Sequence, residues 1–143
     1  MKDPGRMGKG AGRSKRVSEI LLAAGAGLGF VGALVVLGWF LFIEMPTREA
    51  VIADIEAHLE DDPGDHSGRV GRLGFPAGLA IYARNILATA AVSLTTLLVV
   101  AGEVACEMAK VPRRERRKLH MVAWVGLAFC WGVIGLVVVL GGW

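Results

Sequence analysis

The chain has 143 residues, of which 54% are apolar and 20% charged, with a formal net charge of +3 and two cysteines. Most of the charge lies outside three apolar runs, a membrane-like distribution that leaves no stretch long enough for a soluble catalytic domain. Cys106 and Cys130 lie in or beside those runs, which excludes a disulfide framework.

Residues 20–43, 85–102 and 121–143 contain no Asp, Glu, Lys, Arg or His. As helices they would be roughly 36, 27 and 34 Å long, against a hydrocarbon core of about 30 Å. The sequence therefore predicts an all-α integral membrane protein with three transmembrane helices.

Residues 1–19 form a basic tail carrying Lys2, Arg6, Lys9, Arg13, Lys15 and Arg16. The first span, 20–43, is too long for the apolar core of a signal peptide, about 7–15 residues, and no small-residue cleavage site follows it. It is expected to remain as an anchor, with Trp39 and Phe42 at an interface. Gly25, Gly27, Gly29, Gly32 and Ala33 form a small-residue surface in it, suited to close helix packing. The same glycines spell GxGxxG, but with no preceding strand or βαβ unit that match has no dinucleotide-binding meaning.

Residues 44–76 read as an acidic loop containing a short amphipathic helix. Pro46-Thr47 suggests a helix entry with Thr47 as N-cap, and Val51, Ile52, Ile55 and Leu59 share one face of a helix over about 48–60. Asp61-Asp62-Pro63-Gly64-Asp65 reads as a solvated turn. With His66 it matches no EF-hand spacing, so no metal site is predicted. Pro76 is placed to start the second helix.

The second helix is expected over 77–109, with its charge-free core at 85–102. Asn85, Thr89, Ser93, Thr96, Glu103 and Glu107 recur at helical spacing as one polar stripe. Lipid tolerates such a stripe poorly, so it is expected to face protein or water. Arg84 is expected to snorkel to an interface and Glu103 to lie near the opposite one. Residues 110–120 read as a basic loop, with Lys110, Arg113, Arg114, Arg116, Arg117 and Lys118. The third helix, 121–143, is apolar all round. Trp124 and Trp143 suit the two interfaces, and Cys130 and Trp131 read as packing residues.

Twelve basic residues in the tail and the 110–120 segment stand against Arg48, Arg69 and Arg72 in the acidic loop. By the positive-inside rule the N-terminus is cytoplasmic and the C-terminus outside, in a cell inner membrane. Arg13, Lys15, Arg16, Arg113, Arg114, Arg116, Arg117 and Lys118 are then residues for topology and for contact with anionic lipids, not for nucleic acid, since no aromatics interleave them.

His58, His66 and His120 all lie outside the middle of the spans, which argues against a haem held by this chain alone. There is no phosphate loop, no metal-ligand spacing, no nucleophile–base pair and no inverted repeat. The topology is similar to that of the small anchor subunits of quinone-linked respiratory complexes. This resemblance is architectural, covers no signature residue, and implies at most a bound lipid or quinone near an interface; the deep histidines of the haem-binding members are missing here. The function expected from these features is that of a small non-enzymatic subunit packing into a larger membrane complex with other integral subunits. Two alternatives are a homo-oligomeric channel or permease lined by the polar stripe, and a quinone-linked anchor subunit.

Overall fold

The computed structural model describes residues 5–61 and 74–142, with side chains from residue 12 onward. The predicted acidic turn beyond Asp61, with His66 and the approach to Gly74, lies outside the described residues, as does Trp143. The elements are α1 (Gly5–Trp39), a π-helical segment (Phe40–Glu44), α2 (Met45–Asp61), α3 (Phe75–Met108) and α4 (Arg113–Gly141). Among the described residues there is no strand. Three stretches are long and apolar enough to cross a membrane: one within Gly12–Asp61, one in α3 and one in α4. These are the helices of a multi-pass membrane protein.

The first two elements do not separate into a span and a loop helix. Gly12–Asp61 is one 50-residue helical run, about 75 Å long. Pro46 sits inside it rather than at a helix start. Its missing N–H and its ring would disrupt an ordinary turn around the Phe42 carbonyl. The chain absorbs that by widening the preceding turn, so that the Met45 N–H bonds the Phe40 carbonyl, five residues back. Thr47 is accordingly not an N-cap: its hydroxyl donates to the Ile43 carbonyl at 2.5 Å, four residues back along the same helix. No residue of α2 is buried.

α3 starts with Pro76 in its first turn, where the absent N–H costs nothing. It ends in a Schellman motif, with Lys110 N–H bonded to the Glu107 carbonyl at 3.0 Å and Val111 N–H to Cys106 at 3.2 Å. Lys110 takes the left-handed position, φ 50°, that this motif usually gives to glycine. α4 follows directly after Pro112. The basic segment predicted as a loop over 110–120 is therefore helical from Arg113, and the connection itself is only a few residues long.

α1 packs extensively on both α3 and α4, which touch one another less. The α1–α3 seam is antiparallel and in register. A Cβ added to Gly25 would lie 2.9 Å from Val99 Cγ2, one on Gly29 would lie 3.1 Å from Thr95 Cγ2, and one on Gly32 would lie 2.9 Å from Ala91 Cβ. From the other side, a Cβ on Gly102 would meet Leu22 at 2.8 Å. The α1–α4 seam closes where Gly29 and Ala26 meet Gly126: a Gly29 Cβ would lie 2.7 Å from the Gly126 carbonyl oxygen. Lipid provides no hydrophobic drive between helices, so this backbone-to-backbone approach and its dispersion contacts are what hold the seams.

Candidate functional site

The bundle centre is closed. Ala33, Val99, Ala123 and Cys130 are fully buried, and the Thr95 hydroxyl lies beside the Cys130 thiol. Of the predicted packing residues, Gly25, Gly29 and Ala33 are buried and Gly32 is half-buried in the seams. Gly27 is exposed with nothing within 4 Å of a Cβ built on it, so it takes no part in the seams within the chain. It lies about 160° around the helix from its neighbours on the packed face, which a glycine count cannot register.

At one end of the bundle sits a buried ion cluster that sequence reasoning missed. Arg84 and Glu44 are both fully buried, and Arg84 Nη1 donates to Glu44 Oε1 at 2.9 Å. Arg84 does not snorkel outward. Its Nη2 donates to the Gly142 carbonyl at 2.6 Å, and Nε and Nη2 both reach Asn85 Oδ1, at 3.2 and 3.1 Å. Arg48, one turn beyond Glu44, adds a second cation: its Nη2 lies 2.6 Å from Glu44 Oε1 and also donates to the Gly141 carbonyl. Glu44 closes the widened turn at Phe40–Glu44 and is buried there with Phe40. Gly141 is needed at the close of α4 because a Cβ there would collide with Arg84 Nη1. Trp39 completes this end by donating from Nε1 to the Ala80 carbonyl at 3.1 Å.

This cluster ties all three spans together. Its two arginines and one carboxylate leave one positive charge in excess, partly spread over the carbonyl dipoles that end α4. Burial on this scale is stable only when each charge is bonded, and here the donors of Arg84 are directed to named acceptors.

The predicted polar stripe does not face one environment. The buried line of α3 is a neighbouring one: Ala80, Arg84, Ala88, Ala91, Thr95, Val99, Gly102 and Cys106. Apart from Arg84, which belongs to the ion cluster, its residues are mostly small. Along the stripe Asn85, Thr96 and Glu103 are half-buried, while Thr89, Ser93 and Glu107 are exposed. Thr96 donates to its own helix at Val92 (2.7 Å) and receives Trp131 Nε1 at 3.4 Å. Glu103 pairs with His120. Because α3 and α4 splay apart, Asn85, Thr89, Ser93 and Trp131 line a lateral groove of about 310 Å³ whose other walls are apolar. Asn85 therefore joins the ion cluster to the groove.

At the opposite end Lys15 pairs with Glu115, linking α1 to α4, and Ser18 Oγ donates to the Lys15 carbonyl at 2.7 Å. The hydrogen bond and charge of Glu115 raise the Lys15 pKa above its ordinary value. Arg13, Arg16, Arg113, Arg114, Arg117 and Lys118 are exposed and Arg116 half-buried. No group of three or more metal-ligating side chains occurs among the described residues. Set against known proteins, the chain matches no family model, no curated protein and no solved structure.

Proposed function

We propose that this chain is a small, non-enzymatic integral subunit of a larger membrane complex. It sits in a bacterial-type inner membrane with its N-terminus in the cytoplasm. The observation that carries the reading is the lateral groove: Asn85, Thr89 and Ser93 present hydrogen-bonding groups outward at the level of an apolar span. Against acyl chains these groups have no partner beyond their own helix, whereas against another transmembrane helix each can both donate and accept. The seams inside the chain are already filled by glycine and alanine contacts, so Thr89 and Ser93, both exposed, are not needed for its own packing. α2, tied to the bundle at Arg48 but with no fully buried residue, supports the same reading as an arm presented to a partner or to the membrane surface.

Conduction through a single chain is disfavoured by its packed centre, and a channel would need several copies arranged around the stripe. The test is a native gel of membranes extracted in mild detergent. Thr89→Leu with Ser93→Leu should release the chain from a high-mass band, whereas Val139→Ala, at an exposed apolar site on α4, should not. If the chain instead forms a homo-oligomer that conducts in liposomes, and the same double variant abolishes the current, the channel reading replaces this one.

A further inference from the structure

The basic segment does more than mark topology. Once it is helical from Arg113, its cations divide between two faces. Arg113, Arg116, Arg117 and His120 fall at i, i+3, i+4 and i+7, on one face of α4. They alone line a hollow of about 380 Å³. Arg114 and Lys118 point at least 100° away from the centre of that face.

The nearby carboxylates are already engaged. Glu115 pairs with Lys15, and Glu103 pairs with His120. Among the described residues no carboxylate lies within ion-pair distance of Arg113, Arg116 or Arg117. Three guanidiniums of this kind match an anion with several acceptor oxygens, the chemistry of a phosphate group.

The same face says what carries that phosphate. Below His120, one turn deeper, stands Trp124, with ring centroids 6.0 Å apart. The face then continues through Ala128, Trp131 and Gly135, all exposed. From Arg117 to Trp131 is roughly 20 Å along the axis, so a cationic hollow leads onto an aromatic belt and then onto a shallow apolar track between bulky neighbours. A soluble phosphate would use only the first of these. We propose that Arg113, Arg116 and Arg117 bind the phosphate of an anionic phospholipid, with His120 at the edge of the hollow and the acyl chain along Trp124, Ala128 and Trp131. The site is specific to one face, unlike the diffuse attraction that any basic segment has for an anionic surface.

The experiment uses the full chain in non-ionic detergent, titrated with phosphatidylglycerol or phosphatidylcholine carrying brominated acyl chains, with quenching of tryptophan fluorescence as the readout. The wild-type chain should be half-quenched at a phosphatidylglycerol concentration about tenfold or more below that for phosphatidylcholine. Arg113→Gln with Arg117→Gln should erase most of that preference. Arg114→Gln with Lys118→Gln, an equal loss of charge on the other face, should keep it. The single Arg117→Gln change, at an exposed site, should give a smaller loss in the same direction, so a poorly folded double variant does not decide the matter. Equal loss in both double variants would reduce the site to diffuse attraction and overturn the proposal. So would the absence of any preference in the wild type. Competition by glycerol phosphate at concentrations matching the lipid would assign the hollow to free phosphates instead.

Discussion

Glu44 and Arg84 meet at 2.9 Å with both side chains fully buried, although forty positions separate them in the chain and each borders a charge-free run. Glu44 is also the acceptor for Arg48, so the cluster holds one anion between two cations. Removal of the anion is therefore the worse change. Glu44→Gln leaves two buried or half-buried guanidiniums facing each other, and should cost about 3–5 kcal/mol of stability. Arg84→Gln leaves Glu44 still paired to Arg48 and should cost less. Unfolding of the detergent-solubilised variants in increasing SDS measures the order, and a larger loss for Arg84→Gln would mean that its bonds to Asn85 and Gly142 outweigh the ion pair.

Two glycines of the first span should respond oppositely to the same change. Gly29→Ala puts a methyl group 2.7 Å from the Gly126 carbonyl oxygen, a backbone atom that cannot swing aside. Overpacking of this kind costs about 1–3 kcal/mol. Gly27→Ala meets open space and should be neutral or stabilising by up to about 1 kcal/mol through helix propensity. The same unfolding assay reads both, and equal destabilisation would contradict the register of the seams.

Lys110 holds a left-handed backbone, φ 50°, at the end of α3. Lys110→Gly should stabilise the chain by about 1 kcal/mol, because the Cβ penalty is removed while both bonds of the motif remain. Lys110→Ala keeps the penalty and should leave stability nearly unchanged. Thermal melts of the two variants compare them directly; a lower melting temperature for the glycine variant would show that the Lys110 side chain itself supports this end.

The Lys15–Glu115 pair gives a pH signature. Its lysine pKa is raised above 10.5, so the contribution of the pair is fully present below that value and is lost as pH rises through the higher folded-state value. Glu115→Gln should remove this component. Melting temperatures followed from pH 8 upward should fall more steeply for wild type than for the variant above about pH 10.5; parallel curves would show that the exposed pair does not hold α1 to α4.

Much of the architecture was legible because charge is excluded so strictly from lipid: three helices long and apolar enough to cross a membrane follow from where Asp, Glu, Lys and Arg stop. Three features were not. Pro46-Thr47 has the composition of a helix start, and only a widened turn upstream lets proline sit inside a continuous helix. Arg84 sits at the end of a charge-free run, where a long side chain normally reaches water; its burial depends on Glu44, which an antiparallel hairpin of the first two spans returns to the same level. The stripe on α3 showed periodicity but not direction. Polar residues mark a face, yet the face that packs is the one with the smallest side chains, Ala88, Ala91 and Gly102 among them, since in lipid close approach decides which surface is inside.

Asn85 is where these strands of the structure meet, bonded to Arg84 on one side and open to the lateral groove on the other. The claim that this groove receives another subunit is tested most directly by native mass spectrometry of the chain purified from its own membranes in mild detergent. The expected species is a complex that holds this chain at fixed stoichiometry with different integral membrane subunits, and Thr89→Leu with Ser93→Leu should yield the chain alone. A species containing only copies of this chain would contradict it.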